Sequence, residues 1–227
     1  AEARGAEVAI VNTTVSGKLV APLKAQGFAV VALIHELPGV LKSYQLEAHA
    51  AQIAEHADAV VFPARQVREG FEAFIGHGLA QAVIRPQGLY LRGLLRAGGD
   101  KDALRARVRA ELGLPENARL VLCTGYADRR KGFDLFVAAC AAAMARVPDL
   151  YALWVGHLDQ PFVDAALATL PTPELKARFL FTGLVDQPQP YYVAADVYAL
   201  TSREDPFPSV VMEALDALTP GRLSPPP

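Results

Sequence analysis

Runs of four to six residues rich in valine, isoleucine and leucine recur along the chain, at 7–11, 29–34, 58–62, 82–85, 119–124, 151–155, 179–182 and 196–200. They are apolar at successive positions, not alternate ones, which is the pattern of parallel strands covered on both faces. Between them, apolar residues return with helical spacing over 18–26, 41–56, 67–75, 102–112, 133–147 and 209–218. This alternation predicts an α/β fold of doubly wound parallel sheets, in which ligands sit beyond the carboxyl ends of the strands. Residues just after each run are therefore the first place to look for chemistry.

Residues 88–115 interrupt the alternation with Gly93, Gly98, Gly99, Gly113 and Pro115 and an arginine-rich stretch over 92–109. We read this as an interdomain connection leading into one helix. Its arginines form a solvated helix face, because no aromatic residue interleaves with them after Tyr90 as a nucleic-acid surface would require. The expected organisation is a first domain over 1–90, a connection and first helix over 91–115, and a second domain over 116–227.

Charge and composition narrow the function classes. Twenty-two Lys and Arg against 24 Asp and Glu leave a net charge of −2, without the basic excess of a nucleic-acid binder. At 52% hydrophobic and 20% charged residues, the chain is too apolar to be disordered. Uncharged stretches, such as residues 135–145, are far shorter than the roughly 20 residues a membrane span needs. Residues 1–17 carry charges and no continuous apolar core of the signal-peptide kind, and a cytoplasmic location is expected. Cys123 and Cys140 lie inside apolar runs and read as buried free thiols. The opening Ala1 and the proline-rich close at 219–227 suggest a piece of a longer protein.

Two strand-to-helix loops carry the candidate chemistry. The first follows the run at 196–200 and reads Thr201-Ser202-Arg203-Glu204-Asp205-Pro206-Phe207-Pro208-Ser209-Val210-Val211-Met212-Glu213. Its alternate prolines hold Asp205 and Phe207 extended, and Pro208 or Ser209 begins a helix. The first-turn amides of such a helix, at the positive end of its dipole, suit a phosphate. Asp205 and Glu213 then lie where carboxylates could take sugar or ribose hydroxyls, or else merely stabilise a turn and a helix start. The second loop, Gly125-Tyr126-Ala127-Asp128-Arg129-Arg130-Lys131-Gly132, follows the run at 119–124 and carries three adjacent cations. These could clamp a diphosphate, or form a solvated basic turn.

Together these stretches resemble the nucleotide-binding domain of retaining GT-B glycosyltransferases of the large family 4 group. That family carries a glutamate, seven residues, then a second glutamate at the start of its donor-binding helix. Here Asp205 and Glu213 have that spacing, with Glu204 one place early. The family's glycine and Arg-Lys-Gly loop is matched by Gly125 and Arg130-Lys131-Gly132, and its intermediate strands with trailing glycines by 151–156 and 181–185. Residues 1–90 resemble the latter part of the family's acceptor-side domain, where His35, in Ile34-His35-Glu36-Leu37-Pro38-Gly39, matches a strand-end histidine facing the donor sugar.

The resemblance implies a GT-B architecture of two Rossmann-like domains, both incomplete in this chain. It also implies transfer of a hexosyl group from a nucleoside-diphosphate sugar to an acceptor hydroxyl, with retention of configuration and without a metal or other cofactor. On that basis Arg130, Lys131, Ser209 and Val210 are assigned to the diphosphate. Glu213, Glu204, Phe207 and Pro208 are assigned to the ribose and sugar, and Asp205 and His35 to catalysis at the transferred sugar. The expected partners are the nucleotide-sugar donor and a saccharide or lipid-linked acceptor, with peripheral membrane association only. The sequence departs from the family at three points: Asp at 205 is one methylene short of the usual Glu, Tyr126 stands where an arginine is common, and the glycine-rich loop of the acceptor domain is absent. Alternatives are an inactive Rossmann-like binding fragment or a GT-B-fold sugar-nucleotide epimerase. A dinucleotide-dependent oxidoreductase is disfavoured, because no Gly-x-Gly-x-x-Gly follows a strand. His49, His56 and His77 have no usable ligand spacing and read as surface or structural residues.

Overall fold

A computed structural model describes residues 5–88 and 100–218. The expectations for 91–99, apart from the helix that follows, and for the proline-rich close lie outside the described residues. The chain divides into two compact units, one running to Gly88 and including Glu204–Phe207, the other comprising the rest.

The first unit runs β1 (Val8–Asn12), a 3-10 helix (Thr14–Leu19) continuing into α1 (Val20–Ala25), β2 (Ala29–Leu33), α2 (Pro38–Ser43), α3 (Glu47–His56), β3 (Ala59–Phe62), α4 (Arg65–Ile75) and β4 (Ala82–Ile84). Its four strands are parallel and lie in chain order, β1-β2-β3-β4. Each right-handed crossover then steps the same way, which puts the connecting helices on one face of the sheet. Burial agrees. Val11, Val30, Ala32, Val60 and Phe62 are sealed in one core with Val20, Leu41, Ile53, Val67 and Phe71, whereas Val8 and Ile10 are exposed.

The single helix expected over 41–56 is two helices. The break is a left-handed closure in which Gln45 takes φ 54°, its amide donating to Lys42 O and that of Leu46 to Leu41 O. This bonding satisfies the last carbonyls of α2 and turns the buried Leu46 into the core. Apolar periodicity continues across the break, so spacing alone does not reveal it.

The second unit runs α5 (Lys101–Glu111), β5 (Arg119–Thr124), α6 (Phe133–Met144), β6 (Leu150–Val155), α7 (Gln160–Leu167), α8 (Pro173–Lys176), β7 (Phe179–Gly183), α9 (Gln189–Ala194), β8 (Val197–Tyr198) and α10 (Ser209–Leu218). All four strands are parallel, in the order β7-β6-β5-β8. From β5 the chain winds outward through β6 and β7, then returns to β5's other side with β8. That reversal is the topological switch point of a doubly wound sheet. On one face α6 buries Phe133, Phe136, Val137, Cys140 and Met144 at helical spacing around Trp154, whose indole meets Phe133 and Phe136 edge-on at 5.0 and 5.3 Å. On the other, α5, α9 and α10 cover Leu120, Leu122 and Leu153.

Of the α5 arginines, Arg107 is on a solvated face beside Glu111, whereas Arg105 and Arg109 are not. Arg105 donates to the carbonyls of Val193, Ala194 and Ala195 and pairs with Asp196, while Arg109 donates to Ala194 O and Ala118 O. They satisfy the last carbonyls of α9, where a cation also suits the helix dipole. Helices α7, α8 and α9 were not anticipated. Each is short and has a proline in its first turn, where the missing N–H costs no helical bond.

Candidate functional site

Every chemical group of the second unit's site stands at or beyond the carboxyl ends of its strands. Three of those strands end in glycines with positive φ: Gly125 after β5 (137°), Gly156 after β6 (138°) and Gly183 closing β7 (69°). They are laced together, Gly125 N donating to Val155 O at 2.9 Å and Gly156 N to Gly183 O at 3.0 Å. A Cβ on Gly156 would strike the Gly125 carbonyl oxygen, which also accepts the buried Trp154 indole at 2.9 Å. Such packing at Gly156 needs a residue without a side chain.

From Gly125 the basic hairpin turns back to α6. Asp128 fixes the turn by accepting from the Lys131 amide at 2.7 Å. The Lys131 stem lies over Gly125, its carbons 3.2–3.5 Å from where a Cβ would be. Tyr126, in the family's arginine position, stacks on His157 with ring centroids 5.0 Å apart.

The hairpin is joined to the loop after β8. Arg203 N donates to Arg130 O and its guanidinium to Arg129 O, both at 2.8 Å, and the same guanidinium forms a two-point pair with Asp134 at 2.7 and 2.8 Å. Thr201 Oγ1 donates to Lys131 O, and the Thr201 carbonyl carbon is 2.8 Å from where a Gly132 Cβ would be. Beside Arg203, the Asp134 carboxyl is held below its ordinary range. The two loops singled out in the sequence thus meet where β5 and β8 pair. Arg203 and Asp134, which hold them, were not anticipated, although an arginine just upstream of the acidic pair was the available signal.

Helix α10 begins beyond this loop. Val211 N returns to Pro208 O at 3.1 Å, and Ser209 and Val210 supply the preceding amides of the first turn. Glu213 lies one turn further on and accepts a hydrogen bond from the Tyr192 hydroxyl at 3.2 Å. Tyr192 Oη is in turn 3.0 Å from the hydroxyl of Thr124, the last residue of β5. Lys131 packs on Gly125 and Glu213 connects through Tyr192 to Thr124, so both are anchored to adjacent residues at one strand end. Glu204, Asp205, Phe207 and Pro208 are half-buried on the loop between β8 and α10.

His35 lies in the first unit, two residues beyond β2. Its Nε2–H donates to Asn12 Oδ1 at 2.9 Å, and its Nδ1 accepts from Gln87 Nε2 at 2.8 Å. One neutral tautomer satisfies both contacts. Glu36 beside it accepts from the Thr14 amide and hydroxyl at 3.1 and 2.8 Å, and so anchors the 3-10 helix.

Both cysteines are free and buried. Burial pushes the Cys123 thiol to about 11 and the Cys140 thiol to about 12. Among the described residues no cluster of three or more His, Cys, Asp or Glu is placed to hold a metal ion, and no helix is long and apolar enough to cross a membrane.

Comparison with known proteins shows what the chain is similar to. Residues 118–220 match the family model for glycosyl transferases group 1. The chain is 30% identical over 112 residues to the lipopolysaccharide core biosynthesis glycosyltransferase LpsE of Rhizobium meliloti, covering 49% of this chain and 31% of that protein. It is 29% identical over 179 residues to a D-inositol 3-phosphate glycosyltransferase of Corynebacterium aurimucosum, covering 74% and 41%. In fold it is similar to Anabaena HepE, solved in complex with UDP and glucose, with a TM-score of 0.75 at 18% identity over 92% of this chain and 56% of that one. It is likewise similar to an α,α-trehalose-phosphate synthase (UDP-forming) from Burkholderia vietnamiensis, with a TM-score of 0.71 at 13% identity over 94% and 57%. The fold is similar to that of GT-B glycosyltransferases, and residues 118–220 are similar in sequence to glycosyl transferases group 1. It spans less than half the length of these two curated relatives.

Proposed function

We propose that this chain carries the donor half of a glycosyltransferase that moves a hexosyl group from a nucleoside-diphosphate sugar to an acceptor hydroxyl, with retention of configuration and without a metal. One observation carries the reading: the switch between β5 and β8 brings a basic hairpin together with the loop that leads into a ten-residue helix. The chemical difficulty in such a transfer is the charge that develops on the departing diphosphate. Fixed cations at Arg130 and Lys131, with the first-turn amides of Ser209 and Val210, offset that charge, and each preorganised donor is worth roughly 3 kcal/mol of barrier.

Glu213 takes the ribose hydroxyls. Glu204, Phe207 and Pro208 line the sugar, and Asp205 acts at the transferred sugar, as does His35 once it releases Asn12 or Gln87. HepE, solved with UDP and glucose, supports a nucleotide-sugar donor. The acceptor is a saccharide or a lipid-linked sugar, met in the cytoplasm or at a membrane surface.

Lys131→Ala tests the diphosphate assignment. A charge-assisted contact of this kind contributes about 1.5–3 kcal/mol, so calorimetry with UDP should show binding weakened roughly tenfold to a hundredfold. Unchanged affinity would remove Lys131 from the diphosphate site.

A further inference from the structure

Tyr192 has no role in the reading above, yet it is 1% exposed, sits on α9, and directs its hydroxyl at Glu213. Hydrogen-bond inventory fixes the direction of the network around it. A carboxylate only accepts, so the 3.2 Å contact uses the Tyr192 proton. The 3.0 Å contact between Thr124 Oγ1 and Tyr192 Oη must then carry the Thr124 proton. That leaves the 3.0 Å contact between Tyr198 Oη and Thr124 Oγ1 to carry the proton of Tyr198. The chain of donors runs Tyr198, Thr124, Tyr192, Glu213, and every hydroxyl proton in it has one assigned acceptor.

The anchors are stiff. Thr124 is a buried strand residue whose Cα pairs with Val155, Tyr198 belongs to β8, and the two tyrosine rings pack at 5.7 Å. Burial raises the Tyr192 phenol far above its ordinary value, which keeps it a neutral donor. The bond engages Oε2 of Glu213, and a carboxylate accepts up to about four hydrogen bonds, so capacity remains for a pair of vicinal hydroxyls.

We infer that Tyr192 is a positioning residue for Glu213: held by Thr124 and Tyr198, it fixes the carboxylate in the orientation that receives the donor's ribose. The inference rests on the reading of Glu213 as the ribose-binding group. It adds a specificity device, because a carboxylate fixed before binding discriminates for the 2′- and 3′-hydroxyls more strongly than one that must be ordered on binding.

The test is calorimetry of the 227-residue chain with UDP and with 2′,3′-dideoxy-UDP, or with the ADP or GDP pair where UDP gives no heat. The wild-type chain should prefer the ribonucleotide. Tyr192→Phe, which removes one oxygen, should weaken ribonucleotide binding about five- to tenfold, the range of one ordinary hydrogen bond. It should leave the dideoxynucleotide unchanged, so that the preference contracts. Glu213→Gln should abolish the preference. Should Tyr192→Phe fail to fold, the Thr124 variants carry the same test: Thr124→Val should contract the preference and Thr124→Ser should retain it.

A full preference in Tyr192→Phe alongside its loss in Glu213→Gln would overturn the positioning role and leave the ribose assignment standing. Equal weakening of both nucleotides in Tyr192→Phe would also overturn it, since that is the mark of general damage. A preference that survives Glu213→Gln, or a wild-type chain that binds no nucleotide or shows no preference, would remove the ribose assignment and this inference with it.

Discussion

Gly132 is where the contact between the two site loops can be measured. It has φ 69°, and a Cβ there would overlap the backbone carbonyl of Thr201, which is a group that cannot rotate away. Gly132→Ala therefore carries two costs. The left-handed conformation costs an alanine about 1–2 kcal/mol. Forcing a methyl group against fixed backbone costs about 1–3 kcal/mol more, because one loop must shift. The sum is about 2–5 kcal/mol. Gly113 separates the two, having φ 66° in the same unit with nothing within 4 Å of where a Cβ would stand. Gly113→Ala should cost only the conformational share, about 1–2 kcal/mol.

The chain's one tryptophan, Trp154, is completely buried in the second unit, so its fluorescence during urea unfolding reports that unit. Gly132→Ala should also weaken UDP binding, because Lys131 is the neighbouring residue, whereas Gly113→Ala should not. Equal losses of stability in the two variants, within about 0.5 kcal/mol, together with equal UDP affinity, would refute the claim that the hairpin and the β8 loop are in contact.

Two other outcomes follow from the electrostatics of the same region. Arg203 lowers the Asp134 carboxyl below its ordinary value of 3.8, so as pH falls the unfolded state takes up this proton first. The pair's stabilisation is therefore complete above that value and is lost as pH falls through the lowered one. Arg203→Ala should reduce urea resistance at pH 7 and flatten the acid limb of stability followed by Trp154 fluorescence; an unchanged limb would show that the pair contributes nothing. It should also weaken UDP binding by about fivefold, the scale of one loop-fixing ion pair. The buried Cys123 and Cys140, with thiols pushed to about 11 and about 12, should react with a disulfide reagent only after denaturation. Rapid labelling of either in the folded chain at pH 7.5 would contradict their burial.

The sequence by itself determined the strands and the chemistry at their ends. All eight apolar runs are parallel strands, within a few residues at their ends; the second sheet is covered on both faces and so must be apolar throughout, whereas in β1 Val8 and Ile10 are exposed. Helix α10 begins at Ser209, where a proline followed by a capping residue requires a start. The basic hairpin and the carboxylates after β8 were legible as residue types suited to a diphosphate and to hydroxyls. Tertiary structure alone decided which of these groups meet. The order β7-β6-β5-β8 makes β5 and β8 neighbours although 72 residues separate Thr124 from Asp196, and no local pattern encodes that pairing.

Arg203 and Tyr192 escaped the sequence reading for the same reason. One is a surface arginine and the other a tyrosine in an apolar run until Asp134, Thr124 and Glu213 are brought beside them. The break at Gln45 was likewise invisible, because apolar spacing continues across it and the bonds that close α2 are between backbone groups. Side-chain periodicity records which face of an element is buried. It does not record which element buries it, and the site is built from that second fact.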